Sequence, residues 1–168
     1  MTASITDVLP RILPKVKNPG RYLGGEANQI VKDPDTVIAS IALVFPDVYE
    51  IGMSHNGTKV LYHLFNREAD LAAERAFAPM PDMSAELRAL GIPLYTLESY
   101  RSIADFTAIG ISLQTELNYT NVPFVLEHGQ TVGRLIYERL TALPDRLYGQ
   151  GIGSNYQSQG LKLSKHFR

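Results

Sequence analysis

The chain has 168 residues, enough for one domain with a real core and little room for a second, and its 45% apolar and 20% charged residues are ordinary for a globular protein. Lys plus Arg at 16 nearly cancels Asp plus Glu at 17, so the formal net charge of -1 gives no global field to attract nucleic acid or an anionic membrane. The absence of cysteine removes disulfides, thiolate zinc sites, cysteine nucleophiles and cysteine-ligated iron–sulfur clusters from these residues.

The first thirteen residues lack the basic cluster and apolar core of a signal peptide, and no stretch approaches a membrane-spanning run, so the expected location is cytoplasmic. Residues 11–25 (RILPKVKNPGRYLGG) mix proline, glycine and the basic residues Arg11, Lys15, Lys17 and Arg21 without periodicity. They read as an ordered or partly ordered arm rather than a helix, with residues 1–36 preceding the globular pattern.

Asp33, Pro34 and Asp35 form a turn signal before 37–45 (VIASIALVF), an apolar β-branched run expected to be a strand buried on both faces. Residues 58–66 place Val60, Leu61, Leu64 and Phe65 on one helical face, with Ser54, Asn56 or Thr58 as the cap. A weaker strand follows at 72–78. Asp82 then caps a helix with Met83, Leu87 and Leu90 facing inward, ended by Gly91 and Pro93. Residues 93–97 read as a further strand and 108–113 (AIGISL) as another buried one. Residues 131–143 carry Val132, Leu135, Ile136, Leu140 and Leu143 at helical spacing. Beyond Pro144 the pattern stops, and 150–168 is too polar to offset the entropy of ordering, so a flexible tail is expected at 144–168. Alternating strands and helices over 37–143 predict an α/β domain built on a parallel sheet.

Five segments resemble one family: 13–26 (LPKVKNPGRYLGGE), 42–57 (ALVFPDVYEIGMSHNG), 74–83 (ERAFAPMPDM), 92–99 (IPLYTLES) and 110–122 (GISLQTELNYTNV). In order and spacing, from Leu13 to Val122, they are similar to the N-terminal part of radical S-adenosylmethionine (radical SAM) proteins with a cobalamin-binding-like domain. The resemblance implies a three-layer, Rossmann-type, flavodoxin-like parallel sheet placed before a radical SAM barrel. In the full-length family that barrel holds a [4Fe–4S] cluster and S-adenosylmethionine through a CxxxCxxC motif, which is absent here. From Pro123 onward the resemblance stops, which reads as truncation, a frameshifted reading or divergence, and leaves the sheet incomplete.

Loops at the carboxyl ends of parallel strands converge on the crevice where ligands bind. Two stand out. In 46–57, Ser54, His55, Asn56 and Gly57 precede a helix, with Gly52 and Gly57 allowing close backbone approach. They either cradle a cobalamin tail or another anionic group, or Ser54 and Asn56 merely cap the helix and His55 is exposed. His55 could ligate cobalt, but the string from Met53 to Gly57 lacks the DxHxxG spacing of base-off enzymes, which favours base-on or ligand-free packing. In 112–119, Ser112 and Gln114 lie nearest the crevice and either recognise a cofactor edge or belong to a loop in which Thr115 caps a helix from Glu116.

Asp47, Glu50, Glu116 and the histidines form no HxxxH, HExxH or close carboxylate pair, and His63 belongs on a helix surface, so no zinc or acid–base hydrolase is specified. Gly20, Gly24 and Gly25 match neither GxxxxGK[ST] nor a strand-linked GxGxxG. Lys15, Lys17 and Arg21, with Tyr22, could contact RNA, but a solvated arm packing on a partner domain fits so few charges better. Three readings compete: an accessory domain of a radical SAM protein, not catalytic alone; a stand-alone ligand-binding or interaction module using the stretch from Arg11 to Gly25; and a nonfunctional fragment with an unpaired sheet edge.

Overall fold

A computed structural model describes residues 4–114, Asn118 and Asn121. The helix expected at 131–143, the flexible tail and the cap at Thr115 lie outside the described residues. Ile5, Val8, Leu9 and Ile12 recur at helical spacing and form the buried stripe of α1 (Ile5–Ile12). The strands β1 (Ala39–Phe45), β2 (Leu71–Phe77) and β3 (Ala108–Ile111) alternate with α2 (Tyr49–Ser54), α3 (Asn56–Arg67) and α4 (Pro81–Ala89). Both strand pairings are parallel, in the order β2-β1-β3, with Ile41 opposite Ala73 on one side and Ala108 on the other. Among the described residues this is an open, three-stranded, Rossmann-like α/β sheet, and its order is that of the first three strands of the flavodoxin-like arrangement. Among the described residues, no helix is long and apolar enough to cross a membrane.

Alternation along the strands divides the core. Leu43 and Ala73 pack with Tyr62 of α3, while Ala42, Val44 and Ala76 pack with Leu94, Ile103 and Phe106. A third cluster joins α1 to Phe45, Phe77, Met83 and Leu87. The segment read as an arm before the globular pattern is therefore part of the principal core: Val16 and Tyr22 are buried with α1. The signal for α1 is the spacing of its four apolar residues, which Pro10 and Pro14 obscure.

Further expectations need correction. First, α3 faces the sheet with Thr58, Tyr62 and Asn66, while Val60, Leu61 and Leu64 are 56%, 40% and 50% exposed. The polar side chains win because they satisfy backbone groups: the Asn66 amide donates to Ala73 O at 2.9 Å and accepts from Ala73 N at 3.1 Å. Second, Leu90 is 46% exposed, because α4 ends at Ala89 and the chain turns through Gly91 at φ +64°. Met80 holds the N-cap position of α4, and Asp82 lies in its first turn, where its carboxylate accepts from the backbone N–H groups of Lys17 and Met83. Third, 93–97 is not a strand. It forms one arm of an irregular hairpin, with Tyr95 bridging Ser102, and gives β2 one bond, from Leu97 N to Arg75 O at 2.9 Å. The strand expected at 108–113 is shorter, and none of its residues is fully buried.

Side chains close the outer edge of β2. Lys32 Nζ donates to Leu71 O at 2.6 Å, the Asn66 amide holds both polar groups of Ala73, and the Glu98 carboxylate accepts from Arg75 N at 2.6 Å. An edge so covered offers no template for another strand.

Tyrosine hydroxyls fasten the N-terminal segment. Tyr49 donates to Glu26 and Tyr100 to Leu23 O, while Tyr62 accepts from Ile30 N at 2.8 Å. Burial, and then the Glu26 carboxylate, push the Tyr49 hydroxyl up to about 12. Folding thus favours the neutral phenol, and the stability it contributes is complete below pH ~10 and lost as pH rises through about 12. Urea midpoints measured from pH 9 to 12 are expected to fall, and Tyr49→Phe to flatten the fall; an unchanged slope in the variant would contradict this role.

Candidate functional site

The polypeptide crosses the carboxyl ends of β1 and β3 at the point where strand order reverses, the usual position of a ligand crevice in an open α/β sheet. Asp47 organises this rim. Its carbonyl accepts from Ala78 N at 3.0 Å, its Oδ1 from Val48 N at 2.7 Å, and its Oδ2 from Asn118 Nδ2 at 3.2 Å. Asn118 Oδ1 accepts from Gln114 N at 3.1 Å, and Asn121 Nδ2 donates to Pro46 O at 2.9 Å. The Asp47 carboxylate and two asparagines thus tie the segments that leave β1 and β3, and the Asp47 carbonyl ties in the one that leaves β2. Asp47 ends the first strand in the sequence pattern, but its bond to Asn118 spans 71 positions and has no local signature.

Ser112 and Gln114 follow β3 on this rim, with Ser112 N bonded to Val44 O at 3.0 Å. Their side chains make no hydrogen bond to another described residue. Ser54, His55, Asn56 and Gly57 sit at the α2–α3 junction. Ser54 Oγ donates to Ile51 O at 2.8 Å, and Asn56 begins α3. The cap of α3 is His55: its Nδ1 accepts from Thr58 N at 3.2 Å and lies 2.9 Å from Thr58 Oγ1, with the imidazole centred 4.9 Å from the Phe45 ring.

The glycines at this junction serve internal packing. A Cβ on Gly57 would stand 2.8 Å from His55 Cε1, and one on Gly52 would run into the Phe77 ring. Accepting from Thr58 N requires an unprotonated Nδ1 and so places the proton of the neutral ring on Nε2, which leaves no free lone pair for a metal. His55 therefore does not fit a cobalt ligand in this geometry. His55→Ala is expected to cost about 1 kcal/mol of stability through the lost cap, read from urea unfolding.

Among the described residues, no group of three His, Cys, Asp or Glu side chains is arranged to hold a metal ion. Two basic side chains of the N-terminal segment are paired within the molecule, Lys15 with Glu86 at 2.9 Å and Arg21 with Glu50 at 2.7 Å, while the backbone N–H of Lys17 donates to Asp82 at 2.8 Å. His63 is on the exposed face of α3, as its position in the pattern predicts.

Behind the rim lies a buried polar network that sequence reading missed. Arg75 Nε donates to Glu98 Oε1 at 2.6 Å, with side-chain exposures of 6% and 0%, and the guanidinium carbon lies 4.2 Å from the centroid of the Tyr62 ring. On the opposite sheet face, Glu74 Oε2 accepts from Thr96 Oγ1 and Ser99 Oγ, each at 2.6 Å. Two adjacent charged residues inside an alanine-rich strand are the signal that could have revealed it, because buried charges require partners.

No curated protein and no solved structure matches the chain. The family model for the N-terminal part of radical SAM proteins matches residues 57–144, which take in α3 from its second residue, β2, α4 and β3 and extend beyond them. The match continues past Val122, so family similarity does not end at Pro123. It covers over half of the sequence, and the chain belongs to the radical SAM proteins' N-terminal domain family.

Proposed function

We propose that this chain is the accessory N-terminal domain of a cytoplasmic radical SAM protein, not catalytic alone, whose task is to present a ligand crevice to the barrel. The observation that supports this reading is the strand order, which makes the boundary of β1 and β3 the switch point, with Ser112 and Gln114 following β3. The cluster that binds S-adenosylmethionine needs three cysteines, and these 168 residues contain none, so that chemistry belongs to another part of the protein. The coding DNA that follows is expected to encode CxxxCxxC in one of its frames; a full read of that region without the motif would sink the proposal.

The ligand we propose is cobalamin, held by its periphery. Ser54, Asn56, Ser112 and Gln114 supply the hydroxyls and amides suited to a corrin's amide rim, while His55 stays a helix cap. Bound in this way, cobalamin would supply its organometallic chemistry, and these four side chains would only hold and orient it. Hydroxocobalamin titrated into the chain is expected to saturate by tens of micromolar, with His55→Ala leaving the bound absorption spectrum unchanged. Absence of saturation rejects the cofactor, and a spectrum altered by His55→Ala rejects the peripheral mode.

A further inference from the structure

An open cleft of about 480 Å³ lies between the start of α1 and residues 92–105, a volume within the range of small-molecule sites. It shares no lining residue with the strand-end rim and stands independently of the ligand proposed there.

Opposite charges line it. The Arg101 guanidinium carbon lies 4.5 Å from the centroid of the Phe106 ring, and Nη2 donates to Asp105 O at 2.7 Å. The rest of this fork meets no acceptor among the described residues. The Asp105 carboxylate, four positions on, neither pairs with Arg101 nor accepts a hydrogen bond among them. On the other side of the cleft, Ser4 gives α1 no side-chain cap, and Ile5 and Thr6 of that uncapped first turn line the wall, where free amides favour a negative group.

The fold sets these groups in place. Thr96 N donates to Arg101 O at 2.9 Å and Ile103 N to Leu94 O at 3.0 Å, while Ser99 N and Oγ both donate to the buried Glu74 carboxylate. Tyr100 stands at φ +59°, an unfavourable conformation for a bulky residue, kept by the bond from its hydroxyl to Leu23 O. Its ring lies 6.1 Å from that of Tyr95, and with Ile92 the two rings give the cleft an apolar wall.

We propose that this cleft binds a free α-amino acid with an apolar side chain. The ligand's carboxylate meets the Arg101 fork and the first turn of α1, its ammonium meets Asp105, and its side chain lies on the wall of Ile92, Tyr95 and Tyr100. A guanidinium and a carboxylate that line one cleft without pairing suit a molecule that carries both opposite charges on one carbon.

Nuclear magnetic resonance of the full chain titrated with L-phenylalanine tests this. The amide signals of Ile5, Thr6, Ser102 and Asp105 are expected to shift and to saturate by about 1 mM. N-acetyl-L-phenylalanine and L-phenylalaninamide, each lacking one charge, should bind about tenfold more weakly, and Arg101→Gln and Asp105→Asn should each weaken L-phenylalanine by a similar factor. Asp105 is exposed and its carboxylate bonds no described group, so Asp105→Asn keeps the fold, as unchanged β1 and β2 signals will verify. Absence of saturation by the free amino acid, blocked analogues that bind as well as it does, or full affinity in Asp105→Asn would each overturn the proposal.

Discussion

Replacing Glu98 by alanine is expected to destabilise the domain by about 3–5 kcal/mol, because it strands the buried Arg75 guanidinium and unpairs the Arg75 amide. Burial pushes the Glu98 carboxyl above its ordinary range despite the opposing pull of Arg75, so the pair depends on close contact rather than on solvation. Glu98→Gln retains an acceptor for the amide and should cost less than the alanine. Urea unfolding at pH 7 checks both. A loss below about 1 kcal/mol for the alanine variant would mean that water or another group replaces the carboxylate. The edge of β2 should open with it, since Glu98 supplies the acceptor a neighbouring strand would otherwise provide.

Tyr62→Ala should cost a comparable amount, about 3–5 kcal/mol, the range for deleting a fully buried aromatic ring. Its ring fills the space between α3 and β2 and faces Arg75, while its hydroxyl holds Ile30. Tyr62→Phe removes only the hydroxyl and is expected to cost about 1 kcal/mol. The double variant Tyr62→Ala with Glu98→Ala should lose less than the sum of the two, because both substitutions act on Arg75. Strict additivity in urea unfolding would show that the ring and the carboxylate act independently.

The local pattern was legible wherever one residue type dominated a short stretch. The largely apolar run ending at Phe45 is β1 because a near-continuous apolar segment bounded by turn residues suits a strand covered on both faces of a parallel sheet. Gly91 ends α4 because the turn there requires positive φ. α1 was hidden because prolines dominate a propensity reading, whereas the spacing of Ile5, Val8, Leu9 and Ile12 decides which face is buried.

The sequence pattern showed that residues 46–57 and Ser112 follow strand ends, but not what their side chains do: His55 is a helix cap, and Gly52 and Gly57 are packing positions. Those roles depend on the Thr58 amide and on the rings of Phe77 and His55, whose approach a linear reading does not supply.

The sequence by itself determined the strand–helix alternation, the absence of cluster ligands and the family, since each follows from residue type and order. Tertiary structure alone decided that Asp47 ties three strand ends together, that Glu74 and Arg75 are buried with partners, and that polar Asn66 rather than Leu64 faces the sheet. The physical reason is common to all three. A buried backbone group or charge must find a partner, and the residue that answers it stands wherever the fold brings it, at no fixed distance along the chain.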